Sequence, residues 1–133
     1  MRVGFAARLA GLPLALALSL APMAHAQDVA AGDPVAGKLV FQQKCVVCHT
    51  LVPGRRGVGP SLIGVFGKPS GTNDPTYSYS DAMKNSGKTW DAATLSAYLL
   101  MPRSYIPGVK MLFVGMPDPT DRANLIAFLA TLK

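Results

Sequence analysis

The tightest constraint on this chain is the run Cys45-Val46-Val47-Cys48-His49. It holds both cysteines of the 133 residues and one of the two histidines. Two thiols three residues apart on a helical turn lie close together, and the next residue adds an imidazole. The pattern C-x-x-C-H is that of covalent c-type haem attachment. Each sulfur can form a thioether with one vinyl group of the same porphyrin, after which His49 can swing under the ring toward the iron. Three other uses fit less well. A structural zinc site takes four protein ligands, and beyond residue 26 the chain offers only Cys45, Cys48 and His49 as soft donors. A thioredoxin-like pair belongs in a βαβ setting, which the sequence does not suggest. A disulfide across two intervening residues closes too small a loop to constrain much.

The first 26 residues differ from the rest. Arg2 and Arg8 are the only charges before Asp28, a Leu/Ala-rich segment runs from Leu9 to Leu20, and Ala24-His25-Ala26 supplies small residues at a cleavage position. This reads as a secretory signal, residues 1–26, removed after Ala26. The alternative is an uncut membrane anchor, but a span needs about 20 apolar residues, and here Gly11 and Pro13 interrupt a shorter run. Cleavage leaves one domain, residues 27–133. It also leaves eleven basic side chains against seven acids, all Asp, for a net charge of +4, and His49 as the only histidine. A domain of that size has a marginal core that a cofactor or crosslink would help.

Along this domain, residues 27–32 read as a loose leader. Asp33 is a plausible N-cap with Pro34 at the first helical position. Val35, Leu39, Val40 and Phe41 suggest an apolar stripe leading up to Cys45. Residues 51–80 are rich in Gly and Pro and predict loops. A short helix is expected from near Ser80 to Gly87. A longer one is expected from about Thr89 to Met101, with Leu95, Tyr98 and Leu99 on one face and Pro102 as its stop. Asp118 and Pro119 open a last helix carrying Leu125, Ile126, Phe128, Leu129 and Leu132. No segment alternates at period two. The expected fold is therefore all-α, about four helices with long loops, and a loop of some thirty residues in so small a domain implies a large group to wrap.

If His49 takes one face of the iron, a methionine thioether is the natural partner on the other, since no second histidine remains. Met83, Met101, Met111 and Met116 are the candidates. Met83 and Met101 fall in helical segments, where packing is the ordinary role of methionine. Met111 and Met116 both lie in loops, and the Pro107-Gly108 brace favours Met111 without removing Met116.

Taken together, Gly37-Lys-Leu-Val-Phe41, Gly59-Pro60-Ser-Leu62, YSYSDAMKNSGKTW (77–90), AYLLMP (97–102), YIPGVKMLFVGM (105–116) and LIAFL (125–129) make the chain resemble class I cytochromes c, the mitochondrial-like and bacterial cytochrome c2 group. The resemblance covers about residues 32–133. It implies the small class I cytochrome c fold around one haem c held through Cys45 and Cys48, with His49 and Met111 as axial ligands. It also implies that the Pro60 carbonyl accepts from His49, that Tyr79 and Trp90 donate to a haem propionate, and that Tyr98 lies beside the Met111 sulfur. Gly37 would let the first helix cross the last closely, near Phe41 and Phe128. Three departures stand out: Val109 where Thr is usual, Lys68 where Arg is usual, and Met83 where Asn is common. Lys68 replaces a bidentate fork with a point charge.

With both axial positions filled there is no open position for a substrate, so the implied role is electron transfer and not catalysis. The expected protein is a periplasmic, monomeric carrier of a Gram-negative bacterium. It would carry electrons from a quinol:cytochrome c oxidoreductase of the bc1 type to a terminal oxidase (cytochrome c oxidase) or a photosynthetic reaction centre, as part of a respiratory or photosynthetic chain. Lys44, Arg103 and Lys110 lie close in sequence to the attachment motif and the methionine loop, and are expected to form a basic docking face. No nucleic-acid partner and no stable membrane insertion after signal cleavage are expected. The alternative is a haem-based sensor or peroxidase-like protein in which the methionine is displaced.

Overall fold

A computed structural model describes residues 31–133. The signal segment expected at residues 1–26, its cleavage point and most of the leader lie outside the described residues. Five helices follow in order: α1 (Pro34–Lys44), α2 (Asp81–Lys84), α3 (Ala92–Leu100), α4 (Pro102–Tyr105) and α5 (Pro119–Thr131). The fold is all-α. Its one piece of extended pairing among the described residues is an isolated antiparallel bridge between Pro69 and Thr89.

The helix starts follow local chemistry. A first-turn N–H has no partner within its helix, and a side-chain oxygen at the N-cap supplies one. Asp33 accepts from Val35 N–H, Ser80 from Met83 N–H, Asp91 from Thr94 N–H, and Asp118 from Thr120 and Asp121 N–H. Pro34, Pro102 and Pro119 each stand in a first turn, where the missing N–H costs nothing.

Three boundaries differ from expectation. α3 begins at Ala92 and not near Thr89, because the strand-like bridge holds Thr89 and Trp90: Trp90 N–H donates to Lys68 O at 2.9 Å and Gly67 N–H to Trp90 O at 2.9 Å. α2 closes at Lys84, short of Gly87. The segment after Pro102 forms its own turn of helix, α4, since Met101 turns to an extended conformation (φ −152°, ψ 79°) before the proline.

The core is a crossing of α1 over α5. The expected stripe on α1 needs correction. Val35 and Leu39 are 73% and 57% exposed, and the buried face is Gly37, Val40 and Phe41. At 3.6 residues per turn, positions 37, 40 and 41 share one side, and 35 and 39 lie together on the opposite one. A hydrophobic pattern does not register the glycine, yet Gly37 sets the spacing. A Cβ there would collide with the Asn124 carbonyl and lie 2.8 Å from Phe128 Cβ. With no side chain at 37, Phe41 meets Phe128 at 5.8 Å between ring centroids. Leu125, Ile126 and Leu129 complete the buried face of α5, with Leu132 partly buried against it.

The long loop has internal structure of its own. Leu62 N–H donates to Thr50 O at 3.0 Å, Ser70 N–H to Lys88 O at 2.8 Å, and the Ser70 and Ser86 hydroxyls meet at 2.6 Å. These bonds tie it to Thr50, just past the attachment turn, and to the segment between α2 and α3.

Gly37→Ala should cost about 1–3 kcal/mol of stability, as expected for overpacking, and so lower the denaturant midpoint without changing the slope. Chemical unfolding of the haem-loaded protein measures it, and an unchanged midpoint would contradict the close crossing.

Candidate haem site

α1 ends at Lys44, and the chain continues as a turn. Cys48 N–H and His49 N–H both donate to Cys45 O, at 3.1 and 2.9 Å. The turn brings Cys45, Cys48 and His49 to the wall of a cavity of about 410 Å³, within the size range of small-molecule and cofactor sites. The lining is mainly apolar, with Leu62, Val65, Leu95, Leu99 and Val109 among the contributors.

His49 is fixed from two sides. Its Nδ1 lies 2.8 Å from Pro60 O. A carbonyl only accepts, so Nδ1 carries the proton and Nε2 keeps its lone pair free. Gly59 packs on the ring, where an added Cβ would sit 2.6 Å from Cε1. Burial lowers the imidazole pKa from its ordinary value against the opposing pull of the Pro60 hydrogen bond. Neutral imidazole is the form that can ligate a metal. Burial also pushes the Cys45 thiol up to about 11, only partly countered by the charge of Lys44.

The methionines separate clearly. Met116 is a core residue, 2% exposed, and Met101 is 55% exposed. Met83 and Met111 both reach the cavity wall. Only Met111 has its sulfur held by a hydrogen bond, from the Tyr98 hydroxyl at 3.3 Å. Burial, with a smaller contribution from Tyr77, raises the Tyr98 phenol to about 12, so it remains a donor at neutral pH. The loop that presents Met111 turns at Pro107-Gly108. Val109 N–H donates to Ile106 O at 3.3 Å and Gly108 has φ +92°, the positive value a type II turn requires at its third residue.

Trp90 and Tyr79 also line the cavity. Trp90 packs against Tyr98 in a tilted pair, with centroids 5.0 Å apart. The Tyr79 hydroxyl accepts from Asp74 N–H at 3.1 Å, which leaves its own proton for another acceptor. Its pKa is raised, chiefly by burial. Of the three departures from the resembled pattern, Val109 and Met83 line the cavity, while Lys68 is exposed beyond it. Lys110 also reaches the rim, and its Nζ donates to Ser78 O at 2.6 Å.

Sequence reasoning missed Asp74. It is 3% exposed, in a chain segment that reads only as loop. Its Oδ2 accepts from Ser61 N–H at 3.0 Å, and its Oδ1 from Thr76 N–H and hydroxyl at 3.0 and 2.7 Å. Burial opposes ionisation of this carboxyl but is outweighed by those donors and by Arg56, so its pKa lies below the usual 3.8. The Thr76 turn two residues on was open to a local reading. The partner thirteen residues away was not.

These features fit a protein that would hold one prosthetic group through Cys45 and Cys48 in an apolar, helix-and-loop cradle. The donor set and the cavity fit haem c. The comparisons agree. The Cytochrome c family matches residues 34–133. Cytochrome c2 of Rhodomicrobium vannielii is 54% identical over 107 residues, covering 80% of this chain and 84% of that protein. Cytochrome c2 of Rhodopila globiformis is 49% identical over 102 residues, covering 77% and 95%. The structure of cytochrome cH from Methylobacterium extorquens superposes with a TM-score of 0.71 at 43% identity, covering 75% of this chain and 99% of that one. The chain belongs to the cytochrome c family. It is a single-haem electron carrier and not an enzyme, and it binds haem c through Cys45 and Cys48.

The Asp74 hydrogen bonds give a pH prediction. A carboxyl with a depressed folded pKa stabilises the fold above its unfolded value, near 3.8, and that contribution is lost as pH falls through the folded value. Asp74→Asn should therefore cost roughly 1.5–3 kcal/mol at neutral pH, as for hydrogen bonds to a charged group. The difference from wild type should shrink in acid below that range. Unfolding curves at pH 7 and pH 3 check this, and a pH-independent difference would contradict it.

Proposed function

We propose that the chain is an exported, periplasmic electron carrier whose haem iron is ligated by His49 Nε2 and Met111 Sδ. It would take electrons from a quinol-oxidising complex of the bc1 type and pass them to a terminal oxidase or a photosynthetic reaction centre. The observation that carries this reading is the Tyr98 hydroxyl aimed at Met111 Sδ on the wall of the cavity that His49 also lines.

When bound, haem c supplies a one-electron iron couple, and His/Met ligation places it at the higher potentials suited to a late carrier. The chain's own residues supply the rest. Pro60 fixes the imidazole tautomer and raises its basicity. Tyr98 orients the thioether. Tyr79 and Trp90 would donate to a propionate, whose burial needs such donors. The apolar lining excludes water and so limits the solvent rearrangement that accompanies a change of charge.

The exposed mouth supports a docking role. Val47, Val58 and Leu112 all line the cavity and are 80%, 77% and 81% exposed. Apolar side chains standing in water at a site's edge are a common mark of an interaction surface. Lys44, Arg103 and Lys110 are exposed in the segments flanking the site. Positive charge around an apolar centre would steer the protein to acidic partner surfaces. Cleavage after Ala26 would release it from the membrane, and N-terminal sequencing of the native protein tests this.

Two further outcomes are expected. The oxidised protein should show the weak far-red sulfur-to-iron band and bind cyanide slowly. Met111→Ala should lose the band and bind cyanide rapidly, whereas Met83→Ala should keep it. A wild-type protein without the band at neutral pH would favour the sensor or peroxidase-like reading. For docking, electron transfer to an acidic partner should slow as ionic strength rises. Lys44→Glu should slow it several-fold at low salt and flatten the salt dependence. Lys44 suits this test better than Lys110, whose contact with Ser78 would be lost at the same time. Stopped-flow rates insensitive to both changes would rule out the basic face.

A further inference from the structure

The peptide group that joins Pro60 to Ser61 is engaged at both ends. Its carbonyl oxygen lies 2.8 Å from His49 Nδ1, and its N–H donates to Asp74 Oδ2 at 3.0 Å. The two contacts share one conjugated unit. A negative charge on the N–H side draws the amide proton toward it and pushes electron density onto the carbonyl oxygen. Hydrogen bonds in such a chain strengthen one another, more so in a low dielectric.

The surroundings hold this arrangement in place. Asn73 Nδ2 donates to Ser61 O at 2.8 Å, so neighbouring residues 73 and 74 grip the 60–61 segment together. Thr76 fixes the other carboxylate oxygen. Arg56, which acts on Asp74 as a charge, is itself tied to Thr76 O at 3.0 Å. Among the described residues no cation pairs directly with Asp74; the one ion pair there joins Lys84 and Asp81. Burying a carboxylate without an ion pair is costly unless its hydrogen bonds are good. The Thr76 turn accounts for one oxygen only. The second is directed at the peptide that orients His49.

We propose that Asp74 is a positioning residue for the electron-transfer site: through the Pro60–Ser61 peptide it strengthens the hydrogen bond to His49 and lowers the midpoint potential of the iron. The inference rests on the reading of His49 as an axial ligand. A stronger acceptor at Nδ1 gives the imidazole more anionic character. A more basic imidazole donates more density to the metal and favours the oxidised state. The same relay holds the ring in one tautomer.

The test uses the haem-loaded protein. Asp74→Asn keeps the side chain's size and an acceptor oxygen but removes the charge. Its midpoint potential should rise, with the low-spin spectrum retained, and the His49 Nδ1 proton should exchange with solvent several-fold faster by NMR. A bare charge acting through space would also raise the potential, so a second variant separates the two. Ser61→Pro removes the relaying N–H and keeps the Asp74 side chain with its Thr76 contacts. In that background Asp74→Asn should shift the potential much less than in wild type, a coupling that a double-mutant cycle reads directly. Equal shifts in both backgrounds would overturn the relay, as would an unchanged potential in a normally ligated Asp74→Asn protein. Should Ser61→Pro fail to load haem, the exchange measurement on Asp74→Asn decides alone, and unchanged protection overturns the proposal. A wild-type protein whose spectrum lacks histidine ligation would instead overturn the reading of His49, and the relay with it.

Discussion

The rest of the structure depends on haem c being joined to Cys45 and Cys48, at the wall of an apolar cavity. Leu62, Val65, Leu95, Leu99 and Val109, drawn from separate segments of the domain, line that cavity, and covering such side chains with an apolar ring stabilises the fold. Covalent attachment at the end of α1 makes the group part of the chain, so it cannot dissociate and return that surface to water. Attachment is therefore as much a folding device as a functional one.

The rest of the molecule divides into a frame and a grip. The frame is α1 crossed on α5, made possible by Gly37 and sealed by Phe41, Leu125 and Phe128. It carries the attachment turn on its edge. The grip is mostly non-helical. It presents Pro60 to His49 from one loop and Met111 from another, with α3 contributing Tyr98 between Trp90 and the Met111 loop. Loops can do this because they are cross-tied by the bridge at Pro69–Thr89 and by Asp74. Side chains held in place and an apolar lining suit electron transfer, since little then has to move when the charge changes.

Much of this was legible in the sequence. C-x-x-C-H announces its cofactor because two thiols and an imidazole at that spacing can meet the two vinyl groups and the iron of one porphyrin. The starts of α1, α2 and α5 were legible because Asp33, Ser80 and Asp118 act locally on the next few N–H groups. The family's fold followed from motifs spread along the whole domain. What was hidden depended on distant partners. The buried face of α1 turns on a glycine, which has no hydrophobic signal. The start of α3 was masked by a bridge between segments twenty residues apart. Asp74 resembles any loop aspartate until the chain folds Ser61 onto it. Met116 reads as a loop methionine much like Met111, and only tertiary packing sends one to the core and the other to the cavity.

Mass spectrometry of the protein purified from the cells that make it tests the central claim most directly. After denaturation and proteolysis, the peptide spanning Cys45 to His49 should carry one haem's mass with neither thiol open to alkylation. A peptide of unmodified mass, alkylated at both Cys45 and Cys48, would contradict the account at its root.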